Sequence, residues 1–527
     1  MSIPLKPLGW LFAWRPAWRD AAGAQLLRIG RRGHVALALA LAALCTWNQF
    51  VHPYSQGLSD ASFDLLMRHR PLPYVADPRI VVIDIDEASL AHFSPQVGRW
   101  PWPRAMLADV ARAVEAGGAK AVVWDILFAD PDTANPASEQ AFDAYVRDSR
   151  VSFFPVLRLN PANDAQSRLT VDMLNFATPI PGAAGATVSL VAPYFRSIYD
   201  STRMGTFNIA PDADNRLRHV SLWEDVGDRR IPSLVQRLAT EFGWPAQDRP
   251  RQRLNWPRPA AAYVTTSFWQ VHEAARSGQT DYFRQFAGKV VLIGATAPGL
   301  FDLKATPLDP LHPGVYVLAT AIDNAWRGAF LQPTPPWVLW LLSLALLAAG
   351  CEVFRRTRHG QTVTNTFVLL PALLLVVWMA SVSVGTRLVD LTVPVGLLTT
   401  QFSLGLLFDK LRRDAACGRD AFALTPAERE GRRLQIASLA PELDAEAVMQ
   451  RVLALGPGVR MWEPGLDGFE GQWRGTPWVL WRWAAPGEAG PGGLAWHGCR
   501  ADEDLGQAIA HARRLAGHAP ITQENAP

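Results

Sequence analysis

The sequence predicts an α/β domain on a mostly parallel sheet, four α-helical transmembrane segments and a small α+β tail. Three observations carry this. Four apolar runs are long enough to cross a bilayer, and basic clusters flank them on alternate sides. Between the first two runs, buried-strand patterns alternate with helix patterns. After the last run, short strand patterns and amphipathic helices follow one another.

Composition agrees. The chain has 527 residues, enough for several domains. Its 49% hydrophobic and 19% charged residues sit on the apolar side of the roughly 25% charge usual for soluble domains. A net charge of +3 gives no reason to expect nucleic acid as a partner.

Residues 1–33 form an arm in which Trp10, Trp14 and Trp18 are mixed with arginines. Trp14 and Trp18 share a helical face, so an amphipathic segment on the inner membrane surface is expected, although Pro16 disfavours one long helix. The first span is 34–51. Arg28, Arg31 and Arg32 precede it and place its start in the cytoplasm. The long polar and aromatic stretch before it reads as an uncleaved signal anchor rather than a signal peptide. Spans two, three and four are 336–353, 366–384 and 388–408, with a tight external turn at Gly385, Thr386 and Arg387. Arg355, Arg356 and Arg358 follow the second span, and Lys410, Arg412 and Arg413 follow the fourth. The expected topology has both termini inside a bacterial inner membrane and residues 52–335 outside, in the periplasm. Cys45, Cys351, Cys417 and Cys499 all fall outside 52–335, so the external domain depends on its core rather than on disulfides.

Within that domain, Ser59–Arg70 reads as a helix capped by Ser59 or Asp60. "RIVVIDI" is a strand without polar alternation, as expected when both faces are covered. Ala105–Gly118 is a helix and Lys120–Phe128 a second buried strand, which together make a right-handed crossover. "SEQAFDAYVRDS" is a further helix and "RVSFFPVLRL" a further strand. Lys289–Asp302 is a late strand with its loop, and Gly314–Gly328 a helix stopped by Gly328.

In open α/β sheets the loops beyond the strand C-termini form the ligand crevice. Here those loops carry Asp84, Asp86 and Glu87, then Asp125, Asp130 and Asp132, then Thr296, Asp302 and Lys304. Asp84 and Asp86 are two apart, so on a strand they share a face and could offer oxygens to Mg²⁺ or Ca²⁺. The commoner outcome is that Asp86 caps the next helix while Asp84 pairs with Arg99 or Arg104. "GRWPWPR" could stack a ring or grip an anion through Arg99, Trp100, Trp102 and Arg104, or form a rigid aromatic loop. Asp130 and Asp132 flank Pro131 as turn residues, and "PDADNR" reads as a turn with Arg218 pairing nearby. No phosphate loop, zinc-protease helix or nucleophile elbow is present, so no enzyme activity, metal or cofactor is expected.

These segments carry a resemblance. The stretch from Ala76 to Asp132, with its "GRWPWPR" loop, resembles the start of a CHASE domain of type two. "FNIAPDADNRLRHVSL", "VVLIGATAPGLFD" and "GVYVLATAIDNAWRG" resemble its later segments. The resemblance covers residues 55–410. It implies an extracytoplasmic sensory module, with homodimerisation by analogy. Asn215 stands where the family tends to have Gly. Tyr316, Leu318 and Thr320 stand where it often has Glu, His and Asn.

The tail, 409–527, lacks kinase and cyclase signatures, and "GLDGFEG" is a faint echo of a diguanylate cyclase turn. Its expected elements are the helices "LDAEAVMQRVLAL" and "EDLGQAIAHARRLAG" and the strands "VRMW", "GQWRG", "PWVLWRWA" and "GLAWHG". The expected whole is a membrane receptor. An unknown external ligand or protein would act on the crevice, and a non-enzymatic tail would hold a cytoplasmic signalling partner. An envelope scaffold and a metal-dependent enzyme using the acidic crevice stay open beside it.

Overall fold

The computed structural model describes residues 16–259, 262–300, 302–356, 360–419, 422–439, 443–462 and 478–499. It divides into two units. One comprises Pro53–Leu339 with Ala372–Val393. The other comprises Met1–His52, Trp340–Pro371 and Pro394–Pro527.

The described helices, in chain order, open with α1 (Pro16–Ile29) and α2 (Arg32–Phe50). Then come α3 (Gln56–His69), α4 (Glu87–Val97), α5 (Arg104–Ala116) and α6 (Pro136–Asp148). α7 (Leu234–Phe242), α8 (Phe268–Arg276) and α9 (Gly314–Arg327) complete the α/β unit. α10 (Pro336–Arg356), α11 (Gly360–Val384), α12 (Thr392–Cys417) and α13 (Ala445–Leu455) follow.

The α/β unit is built on seven strands: β1 (Ile80–Ile85), β2 (Ala121–Trp124), β3 (Ser152–Arg158), β4 (Leu190–Val191), β5 (Met204–Thr206), β6 (Val264–Ser267) and β7 (Val290–Ala295). Their order is β6-β1-β7-β2-β3-β4, with β5 also on β3. Every pairing is parallel except β3 with β4, so the sheet is mixed. β7, the last strand in sequence, lies between β1 and β2, the first two. All six β1 residues are buried, which explains the missing alternation.

α9 is buried from Gly314 to Ala325, a core helix apolar nearly all round, and Gly328 ends it at φ 60°. Asn215 takes φ 64°, the left-handed backbone that a Gly at this position would also adopt. Two boundaries differ from expectation. α3 starts at Gln56 rather than beside Ser59. β2 ends at Trp124 rather than Phe128, because Asp125 leaves the ladder after its N–H bonds Ile293 O at 2.9 Å.

In the second unit, α1 turns its Arg19, Gly23 and Leu27 row inward, and Leu27 joins the core of Val448, Met449 and Val452 on α13. Residues Pro16–Ile29 of the arm thus join the tail's core through Leu27. Four strands complete that core: β8 (Arg433–Leu439), β9 (Arg460–Trp462), β10 (Trp478–Ala484) and β11 (His497–Gly498). They pair antiparallel in the order β9-β10-β8-β11. β8 has no counterpart in the sequence reading. "GQWRG", "GLDGFEG", "EDLGQAIAHARRLAG", Trp10 and Trp14 lie outside the described residues.

Two described helices are long and apolar enough to cross a membrane: Pro336–Arg356 and Asn365–Val384. α1 and α2 make a third if the pair, bent by 82°, counts as one span. The stretch 388–408 does not form a helix throughout. Arg387–Leu388 pairs as a short strand with Gln332–Pro333, and α12 begins only at Thr392.

Candidate functional site

The crevice forms where β1 and β7 end side by side. Their register pairs Ile85 with Ala295, which brings Thr296 beside Asp84. Asp84 is buried. Oδ1 accepts from the Thr296 N–H at 2.9 Å and Oδ2 from the Thr296 hydroxyl at 2.6 Å. Neither Arg99 nor Arg104 pairs with it. The partner comes from the neighbouring strand because the parallel ladder delivers it there. Burial pushes the Asp84 carboxyl up to about 6, against the Thr296 bonds, and the Asp86 charge adds to the rise. Asp86 does cap α4: it accepts from the Ser89 N–H at 2.7 Å, and its other oxygen accepts from the Ser267 hydroxyl. The two carboxylates therefore serve separate partners. Among the described residues, no three His, Cys, Asp or Glu side chains group as a metal ion needs.

The second acid is Asp125, beyond β2. Its Oδ2 is buried without a hydrogen-bond partner among the described residues. Burial, with the Asp302 charge behind it and Lys304 opposing, raises its carboxyl well above the usual range. Space for it exists because a Cβ at Gly294 would crowd Asp125 Cβ at 3.0 Å and Val315 Cγ2 at 2.7 Å. A cavity lined by Asp125, Thr206, Asn208, Ser221, Ser233 and Leu318 lies against it; at about 20 Å³ it holds one water and little more. Asp302 bonds Lys304 Nζ at 2.9 Å and packs over Gly314 at the start of α9.

The aromatic loop divides. Trp102 is 1% exposed and packs edge-on against Phe93, and Trp100 stands edge-on to Trp102. Trp102 is thus core rather than a shelf for a ligand ring. Arg104 is buried with its guanidinium 4.8 Å over Phe128, and Nη2 reaches Asp130 O at 3.5 Å. Burial depresses its pKa. Arg99 and Asp130 are exposed at the edge. The site thus gathers Asp84 with Thr296 and Asp86, and Asp125 with Asp302. It does not gather Arg99, Trp100, Trp102, Arg104 or Asp130 with them.

A family model for the CHASE2 domain matches residues 36–351, more than half the chain. The chain belongs to the CHASE2 family. Its α/β unit is a type-two CHASE extracytoplasmic sensory domain. No curated protein and no solved structure matches the chain.

In this CHASE2 chain, two of the residues at which the resemblance implied other side chains, Tyr316 and Leu318, lie near the acids. The Tyr316 hydroxyl lies 3.3 Å from Thr265 Oγ1, within the field of Asp84 and Asp86, and Leu318 lines the Asp125 cavity. Two polar anchors escaped the sequence. Asp323 on α9 is fully buried and accepts from Tyr74, Tyr263, the Asp77 N–H and Arg327 at 2.6–3.1 Å. Asn324 beside it clasps the backbone of Asn255 in both directions. Nothing short of the fold itself brings these partners together. Arg218 was legible as a pairing residue but not as a hub. It is buried and bonds both oxygens of Asp64 at 2.8 Å, both of Asp214 at 2.7–2.8 Å, and Asp212 at 3.4 Å. Burial works against its charge, and the Asp214 and Asp64 carboxylates more than offset it, while Asp214 is pulled down to about 2.

Proposed function

We propose that this CHASE2 protein is an inner-membrane receptor whose α/β unit lies in the periplasm. It detects an external small molecule or protein at the β1–β7–β2 crevice. It passes the change through four membrane helices to a non-enzymatic cytoplasmic tail that holds a signalling partner. The chain works as a homodimer. The observation that carries this reading is the placement of α9. Its start meets the crevice through Gly314 and Asp302, its body is core, and its end leads within nine residues to α10. A ligand that displaces Asp302 or enters beside Asp125 moves the first turn of α9. That bias can travel only through an element with two arrangements.

Topology is tested with alkaline phosphatase fused after Tyr54, Thr386, Arg358 and Glu430. Activity is expected at the first two and not at the last two. Activity at Glu430 overturns the cytoplasmic tail, and inactivity at Thr386 overturns the four-span arrangement. Capture of a partner by the full chain, lost when residues 420–527 are deleted, separates a receptor from a scaffold that works only outside.

A further inference from the structure

The second unit contains a cavity of about 340 Å³, at the small end of the range typical of ligand sites. Its walls are α1, the end of α13 and the turn into β9, closed by Ala415 and Phe422. Most of the surface is apolar: Leu27, Phe422, Val452, Leu453, Pro457 and Val459. Charge enters it unevenly. Arg19, Arg28 and Arg460 line it, with Asp20 as the lining carboxylate.

The charges can be followed one by one. Arg19 is held from behind by Glu428 at 2.9 and 3.0 Å. Arg460 is 9% exposed; Nη2 bonds Asp20 at 3.1 Å and Nη1 bonds Val459 O at 3.1 Å, but Nε is buried with no partner among the described residues. Arg28 is exposed at the rim. Among the described residues, three guanidiniums (Arg19, Arg28, Arg460) meet two carboxylates (Asp20, Glu428), which leaves one surplus positive charge, with Arg28 at the rim of an apolar chamber. A buried guanidinium with an idle donor is costly unless an acceptor completes it. An apolar chamber with one surplus cation at its wall fits a singly charged anion carrying an apolar body.

We propose that the cavity between α1, α13 and β9 binds a small apolar monocarboxylate. Its carboxylate lies toward Arg460 and Arg28, and its body lies between Leu27, Phe422 and Val452. Free soluble acids and acyl chains released from the bilayer share this chemistry.

The test uses the full chain in lipid nanodiscs. Saturable binding is measured for octanoate, for its neutral isostere octanamide, and for acetate, which keeps the charge without the body. Octanoate is expected to saturate one site per chain. Octanamide and acetate are each expected to bind at least about tenfold more weakly, and Arg460→Met to weaken octanoate by at least about tenfold. Because Arg460→Met removes a buried ion pair, Ala24→Phe carries the same expectation. It fills the chamber from the half-buried side of α1 and touches no charge. Equal binding of octanoate and octanamide overturns the proposal, as does Ala24→Phe binding like the wild type. Competition by oleate supplied in the bilayer assigns a membrane source, and competition by added soluble acid alone assigns a soluble one. Both outcomes support the site.

Discussion

At the scale of single residues, the site is defined by where protons sit. Asp84 ordinarily titrates near 3.8, and in the fold it is pushed to about 6. Between those values the folded chain holds a proton that the unfolded chain has released, so this group's contribution to stability falls as pH rises through that window. Above pH 6 the buried, ionised carboxylate is a standing cost. Asp84→Asn keeps an acceptor for the Thr296 N–H and removes the charge. It is expected to raise stability at pH 7.5 by no more than about 2 kcal/mol, with the gain vanishing at pH 4. Denaturant midpoints at the two pH values decide it. A variant that loses more stability at pH 7.5 than at pH 4 means the charged bonds to Thr296 dominate instead. The cap is simpler. Asp86→Ala leaves the Ser89 N–H at the start of α4 without its acceptor and should cost about 1 kcal/mol, read as a lower midpoint at unchanged slope.

At the scale of elements, α9 and Asp302 offer a cleaner experiment. A Cβ at Gly314 would sit 1.8 Å from Asp302 Oδ2, so Gly314→Ala must displace that carboxylate and its pairing with Lys304. The expected loss is about 1–3 kcal/mol. In an Asp302→Ala background the obstruction is gone, and the same change should be nearly neutral. Additive losses in the double-mutant cycle would disprove this contact. Such couplings also explain what the sequence could and could not tell. β1, β3 and β7 were legible because strands covered on both faces carry apolar runs without polar alternation, Ile80–Ile83, Phe153–Leu157 and Val290–Ile293. The Asp86 cap was legible because a cap is decided within three residues. Thr296 as the partner of Asp84 was not, because 212 residues separate them and only the β1–β7 ladder joins them. Asp323 was hidden for the opposite reason. It sits inside an otherwise apolar helix, and its four donors come from two other segments, Tyr74–Asp77 and Tyr263, as well as its own next turn. β8 was missed because its alternation, Leu434 and Ile436 buried between Arg433 and Gln435, breaks at Ala437 and spans too few residues to stand out.

At the scale of the whole α/β unit, the elements nearest α2 and α10 in the chain meet on one short strand, Arg251–Arg253. It pairs antiparallel with His219–Ser221. Arg253 reaches back to α3, the first helix after α2, bonding Asp60 at 3.4 Å and lying 4.6 Å over Phe63. The same strand meets the exit from α9 through the Arg253–Leu331 bridge and the Gln332–Gln252 bond at 3.2 Å. His219 sits at the centre. Its Nε2 accepts from Arg253 Nε at 3.1 Å, which requires the neutral ring, and Nδ1 then donates to Asp212 at 2.9 Å. Asp212 also binds Arg251 and Arg218, so two cations and one carboxylate face the ring directly. Burial lowers the His219 pKa from 6.5, against the pull of Asp212. The folded chain therefore takes up this proton later than the unfolded chain, and the contribution is lost as pH falls below 6.5. Protonation turns an acceptor into a donor aimed at Arg253 and loosens α3 and the α9 exit together. Hydrogen exchange on the full chain should quicken in Gln56–His69 and at 331–332 between pH 7.5 and 5, after correction for the intrinsic pH effect, while β1 and β7 stay protected. His219→Gln keeps an acceptor for Arg253 without a titrating ring, so it should flatten that response. An unchanged response in His219→Gln would place the acid-sensitive group elsewhere and leave the Arg251–Arg253 strand a static tie.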